Sequence, residues 1–147
     1  MLMDSLIPIF ERDIRKLKDE IGLYETDEQL WIVTGDTKNS GGNIALHLIG
    51  NLKHFIGAVI GETGFVRDRD AEFGTTAGTR AAIMSDIDET IAIVTTALGK
   101  LTDEDLTRDF PVQKWGDTRR TDLMLLHLFG HLSYHLGQIN YHRRMTA

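Results

Sequence analysis

The chain has 147 residues, 41% of them hydrophobic and 26% charged, with a formal net charge of −6 and no cysteine. That composition suits a globular domain long enough to build its own core. It excludes disulfides and thiolate metal ligands, and it argues against a nucleic-acid partner, which needs a basic face.

The first residues, MLMDSLIPIFERD, lack the basic region and long apolar run of a signal peptide, and the apolar stretches of the chain read as far short of a membrane span. A cytoplasmic protein with no membrane partner is expected. Helical periodicity starts at roughly Asp4 and runs to Leu23, with Leu6, Phe10, Ile14, Leu17 and Ile21 on one face. Pro8 falls in or near its first turn, where a missing N–H costs least. A loop rich in Gly, Ser, Thr and Asn, GDTKNSGG, leads to Ser40, a plausible N-cap. The second helix runs roughly from Gly41 to Gly61 on a stripe of Ile44, Leu48, Leu52, Phe55 and Val59.

The segment GFVRDRDAEF, residues 64–73, reads first as an exposed loop laced by salt bridges. A second reading has its arginines, Arg67 and Arg69, contacting an anionic thiol cofactor. The third helix runs roughly from Thr79 to Gly99 on Ile83, Ile87, Ile91, Val94 and Leu98, capped by Thr79 and ended by Gly99. QKWGDT, residues 113–118, suggests a short turn or hairpin. Trp31 and Trp115 are expected to anchor loops on the bundle end, and one of them to wall a pocket. The fourth helix runs roughly from Arg120 to Met145, with Leu125, Leu128, Leu132, Leu136 and Ile139 inward. The basic pairs Arg119-Arg120 and Arg143-Arg144 are read as helix-end charges.

Four amphipathic helices predict an all-α four-helix bundle, a single domain over residues 1–147. The first two linkers exceed what antiparallel neighbours need. At least one connection should therefore cross the bundle, or the loops should cover something at its end.

The fourth helix also carries HLFGHLSYHLGQ, residues 127–138. At about 100° per residue, His135 falls roughly 45° from the apolar centre and is expected largely inside; His131 falls roughly 85° away, at the core's edge; His127 falls roughly 125° away, nearer solvent. His131 and His135 thus form an i, i+4 pair that can face one ligand. The zinc-protease glutamate is missing, because Leu132 holds its position. A third ligand must come from elsewhere, and His47, on an equivalent edge of the second helix, supplies it if the two helices pack together. His54 and His127 read as hydrogen-bonding groups, and His142 as a residue of the last turn. Tyr134 points away from the core and is left out of the site.

These motifs, I-A-L-His47-L-I-G-N and His131-L-S-Tyr-His135-L-G-Gln138, resemble those of the DinB/YfiT-like metalloenzyme superfamily, in a subgroup described mainly as uncharacterised, and the likeness spans nearly the whole chain. The resemblance implies a four-helix bundle of unusual helix order, a metal bound by His47, His131 and His135, and a homodimer. It also implies metal-dependent transfer to low-molecular-weight thiols, or thiol-dependent isomerisation. Three neutral imidazoles leave a divalent ion its charge and an open position, which suits a transferase or hydrolase acting on a small molecule. Zinc is the default metal, with nickel or iron also suited to imidazole. Asn51 is expected to orient a ligand or substrate, and Gln138 to fix the tautomer of a ligand histidine. The competing expectation is a non-catalytic metal- or ligand-binding dimeric module.

Overall fold

The computed structural model describes residues 1–112 and 116–147. Trp115, and with it the first half of the expected QKWGDT turn, lies outside the described residues. The protein is helical: α1 (Leu2–Gly22), α2 (Gly41–Leu52), α3 (Arg69–Gly74), α4 (Arg80–Leu98) and α5 (Thr121–Thr146). Glu28–Trp31 and Asp105–Thr107 form 3₁₀ turns, and α2 runs on without a break as a π-helix over Lys53–Ile60. Among the described residues the only β pairing is an isolated bridge between Asp109 and Arg120.

The four long helices lie where the apolar spacing puts them. Leu6, Phe10, Ile14, Leu17 and Ile21 of α1 are all buried, as are Ile83, Ile87, Ile91, Val94 and Leu98 of α4. Ser40 and Thr79 cap α2 and α4 through their side chains, accepting from the backbone N–H of Asn43 and Ala82. Two details differ from expectation. The first helix starts at Leu2, so Pro8 sits inside it rather than at its start, and the Asp4 carbonyl loses its usual i+4 donor. The α-helical stripe of the second helix holds through Phe55 but fails at Val59, which is half-buried, while Ile56 is fully buried. The i→i+5 bonding of the π segment changes the turn period and so changes the buried face.

α1 packs on α4 and α5, and α2 packs on α4 and α5, so α1 and α2 occupy opposite corners of the bundle. The α1–α2 and α4–α5 connections therefore both cross a diagonal, whereas the long α2–α4 connection joins neighbours and carries α3. Gly41–Ile60 is, by length and composition, long and apolar enough to cross a membrane, contrary to the sequence expectation. It is 72% buried in the bundle, and the role of central core helix accounts for its apolar character.

Trp31 fastens the first crossing. Its Nε1–H donates to the Gly78 carbonyl at 3.0 Å, and its ring lies on Gly42, where a Cβ would sit 2.7 Å from the ring carbons. The end of α5 is tied back to α1. Glu20 accepts from Arg143 Nε and Asn140 Nδ2, each at 2.8 Å. Burial pushes the Glu20 carboxyl up, but these hydrogen bonds and the Arg143 charge outweigh it, and the group ends below the ordinary glutamate value. A depressed carboxyl stabilises the fold above its unfolded pKa, and that stability is lost as pH falls through the folded value. Glu20→Gln should therefore cost about 1 kcal/mol in urea melts at pH 7 and much less at pH 3. An equal loss at both pH values would contradict this.

Candidate metal centre

His47 lies on the buried face of α2, two turns after the Ser40 cap, and His131 and His135 lie one turn apart on α5. Packing of α2 against α5 brings the three imidazoles together, with one ring nitrogen from each within 4.8 Å of the others. His47 Nε2 and His131 Nε2 are 3.0 Å apart. His47 is buried; His131 and His135 are half-buried. His127 stacks on His131 at 6.4 Å between ring centres but stands outside the cluster on the exposed side, as the wheel anticipates. His135 is less enclosed than expected, because an open cleft replaces the neighbour that a solid bundle would pack against it.

The segment expected to be an exposed salt-bridged loop is instead built into the site. Asp68 caps α3, and α3 carries Glu72 inward until only 6% of the residue is exposed. Glu72 Oε1 lies 3.0 Å from His47 Nδ1, and Arg67 grips both carboxylate oxygens at 2.8 and 2.9 Å. A carboxylate only accepts, so Nδ1 carries the proton and Nε2 keeps its lone pair for the cluster. Arg67 Nη2, 3.2 Å from Nδ1, is then a second donor to the shared Oε1 rather than a partner of the ring. Burial lowers the His47 pKa, opposed by the Glu72 hydrogen bond and charge, and the ring is neutral at pH 7. Asn43 holds the far end of α3, donating to the Glu72 and Thr75 carbonyls at 3.0 and 2.7 Å. Gly50, one turn after His47, leaves the space that the carboxylate occupies; a Cβ there would overlap Glu72 Oε2.

Gln138 stands in the same relation to His135, with Oε1 2.7 Å from Nδ1, which again directs Nε2 to the cluster. The donor set is therefore one ring nitrogen from each of three imidazoles, with Nε2 of His47 facing Nε2 of His131. Two nitrogens bound to one tetrahedral zinc lie roughly 3.3 Å apart, close to the His47–His131 separation, so these residues fit a divalent ion. Asn51 lies deep on α2, 1% exposed, and is not among the residues lining the cleft.

The cleft above the histidines has a volume of about 660 Å³. Its walls come from the loop before α2 (Thr34, Thr37, Lys38, Asn39), from Arg69 and Phe73 of α3, and from the exposed side of α5. Tyr134, left out on sequence grounds, stands at the mouth with its ring 5.2 Å from that of His135. Trp31 does not line the cleft. His142 does, but it is not a spare ligand: Nε2–H donates to the Ile32 carbonyl and Nδ1 accepts from the buried Tyr24 hydroxyl, each at 2.7 Å. Burial pushes the Tyr24 phenol well above its ordinary pKa, so it stays a donor.

This fold is that of DinB-like proteins. It matches the crystal structure of a DinB-like protein from Bacillus cereus with a TM-score of 0.77 at 17% identity, covering 97% of this chain and 91% of that one. A conserved protein from Enterococcus faecalis matches with a TM-score of 0.78 at 13% identity, covering 99% and 97%. No curated protein matches the chain. Residues 3–147 match the family model described as "Protein of unknown function (DUF1572)", and the chain belongs to that family.

Proposed function

We propose that the protein is a metal-dependent enzyme that binds one divalent ion through His47, His131 and His135 and acts on a small molecule, as a low-molecular-weight-thiol S-transferase or a hydrolase. The observation that carries this is the convergence of three imidazole nitrogens on the floor of a cleft wide enough for a substrate. Zinc suits the donor set best, and nickel or iron are also accommodated by imidazole. A divalent ion held there supplies Lewis acidity that makes a thiol or water acidic near neutral pH. The chain's own residues do the rest. Glu72 and Gln138 fix two ligand tautomers, and Phe73 and Met145 give the cleft apolar walls. The anchored His142 keeps the α5 end rigid beside it. In the transfer reading the thiol sulfur bonds to an electrophilic carbon, whose leaving group departs while the thiol proton passes to solvent. Turnover of a panel of thiols and electrophiles should rise in proportion to metal content, and turnover that survives complete chelation would contradict the proposal.

A homodimer built on α5 fits the same reading. Leu123, Leu126, Tyr134, Tyr141 and Met145 are exposed on this helix, and Gly130 and Gly137 have open space where a Cβ would be. Glycine inside a helix costs about 1 kcal/mol, and nothing within one copy requires either of them. A second copy lying antiparallel opposes the two helix dipoles and brings Arg144 at one end of the ridge towards Asp122 at the other. Sedimentation should show a dimer that Gly137→Arg converts to a folded monomer; a dimer unaffected by that change would place the interface elsewhere.

A further inference from the structure

The cleft wall differs in charge from the rest of the chain. The sequence holds 22 acidic and 16 basic residues. Yet among the described residues the cleft is lined by Lys38 and Arg69 and by no aspartate or glutamate. The other arginines mostly serve the fold: Arg12, Arg15, Arg67, Arg80, Arg108 and Arg143 each reach a carboxylate. Arg69, two residues after Arg67, has turned the other way. Its guanidinium lies over the Phe73 ring, 5.4 Å from the ring centre, and Phe73 in turn lies 4.9 Å from the His47 ring. Guanidinium, aromatic face and histidine cluster thus follow one another along one wall. Lys38 stands on another, in the loop that precedes α2.

Charge balance points the same way. Glu72 is the carboxylate nearest the histidines, and Arg67 already neutralises it. The cleft wall therefore offers two cations and, among the described residues, no carboxylate to match them.

We infer that the cleft selects a small molecule with an anionic group, a carboxylate or a phosphate, held by Arg69 and Lys38, and with an apolar segment next to it that lies on Phe73. This rests on the reading of the cleft as the substrate site and names the class of substrate. Arg69 forks two N–H donors towards such a group, and Lys38 adds a point charge.

The test uses metal-free protein, so that no probe can bind through a metal. Isothermal titration compares 3-phenylpropionate, phenyl phosphate and the neutral 3-phenylpropan-1-ol. At least one anion should bind about tenfold tighter than the alcohol, as expected for a charge-assisted contact, and the preference should shrink as salt is raised. Whichever anion is favoured identifies the group. The Arg69→Gln/Lys38→Gln double variant should lose the preference while keeping the fold and metal uptake of the parent. Equal binding of all three probes, no binding of any, or a preference retained in the double variant would overturn the inference. Metal content and turnover, measured separately on the same proteins, report on the enzymatic reading independently.

Discussion

Replacing Glu72 by alanine is expected to destabilise the protein by about 3 kcal/mol and to weaken metal binding by roughly 10- to 100-fold. Two losses combine. Arg67, whose side chain is 13% exposed, is left as a buried cation without its carboxylate. His47 loses the acceptor for Nδ1–H, and with it the force that turns Nε2 towards the other two histidines. The two effects separate in further variants. Glu72→Leu with Arg67→Met removes both charges together and should recover most of the stability, because well-packed apolar groups commonly replace a buried ion pair at little cost. It should not recover metal affinity. Chemical denaturation and metal titration on the set measure both; a Glu72→Ala protein that melts like the parent would show that the pair holds nothing together.

Gly50→Ala is the second large effect, and its sign is the informative part. Inside a helix this change normally stabilises by up to about 1 kcal/mol. Here the new methyl overlaps the Glu72 carboxylate, which Arg67 and His47 hold from the other side and which cannot simply swing away. A net loss of about 1–2 kcal/mol is expected, with metal affinity reduced about tenfold as the carboxylate is displaced. In a Glu72→Ala background the same methyl meets empty space, and the change should turn neutral or stabilising. That reversal is a coupling between two residues in contact, read by a double-mutant cycle. Additive effects would refute the packing of Glu72 on Gly50.

The sequence made the long helices legible because their buried residues recur every three or four positions, from Leu6 to Ile21 in α1 and from Ile83 to Leu98 in α4. It concealed α3 because RDAEFG is too short to show a period and looks like solvated charge. The π segment stayed hidden because a 3.6-residue wheel assumes the turn that Lys53–Ile60 does not have. At the site, spacing and the family motifs together pointed to His47, His131 and His135, which the packing of α2 on α5 brings together, while Gln138 was expected to serve a ligand histidine that only the structure identifies as His135. Glu72 left one usable signal. A buried ligand histidine needs an acceptor for its second N–H, and GFVRDRDAEF is the acidic segment that follows the His47 helix. Nothing local predicts that Arg67 turns inward and Arg69 outward, since that depends on where Asp68 starts α3. His142 was read only as a residue of the last turn, because its partners, Tyr24 and the Ile32 carbonyl, lie more than a hundred residues away in sequence.

The central claim is a three-histidine metal centre. Its most direct test is elemental analysis of tag-free protein, never exposed to chelator or a nickel column, beside the His135→Ala variant. The parent should carry about one transition-metal ion per chain, and the variant should carry almost none. A parent protein that binds no transition metal, or a variant that keeps the parent's content, would contradict the account.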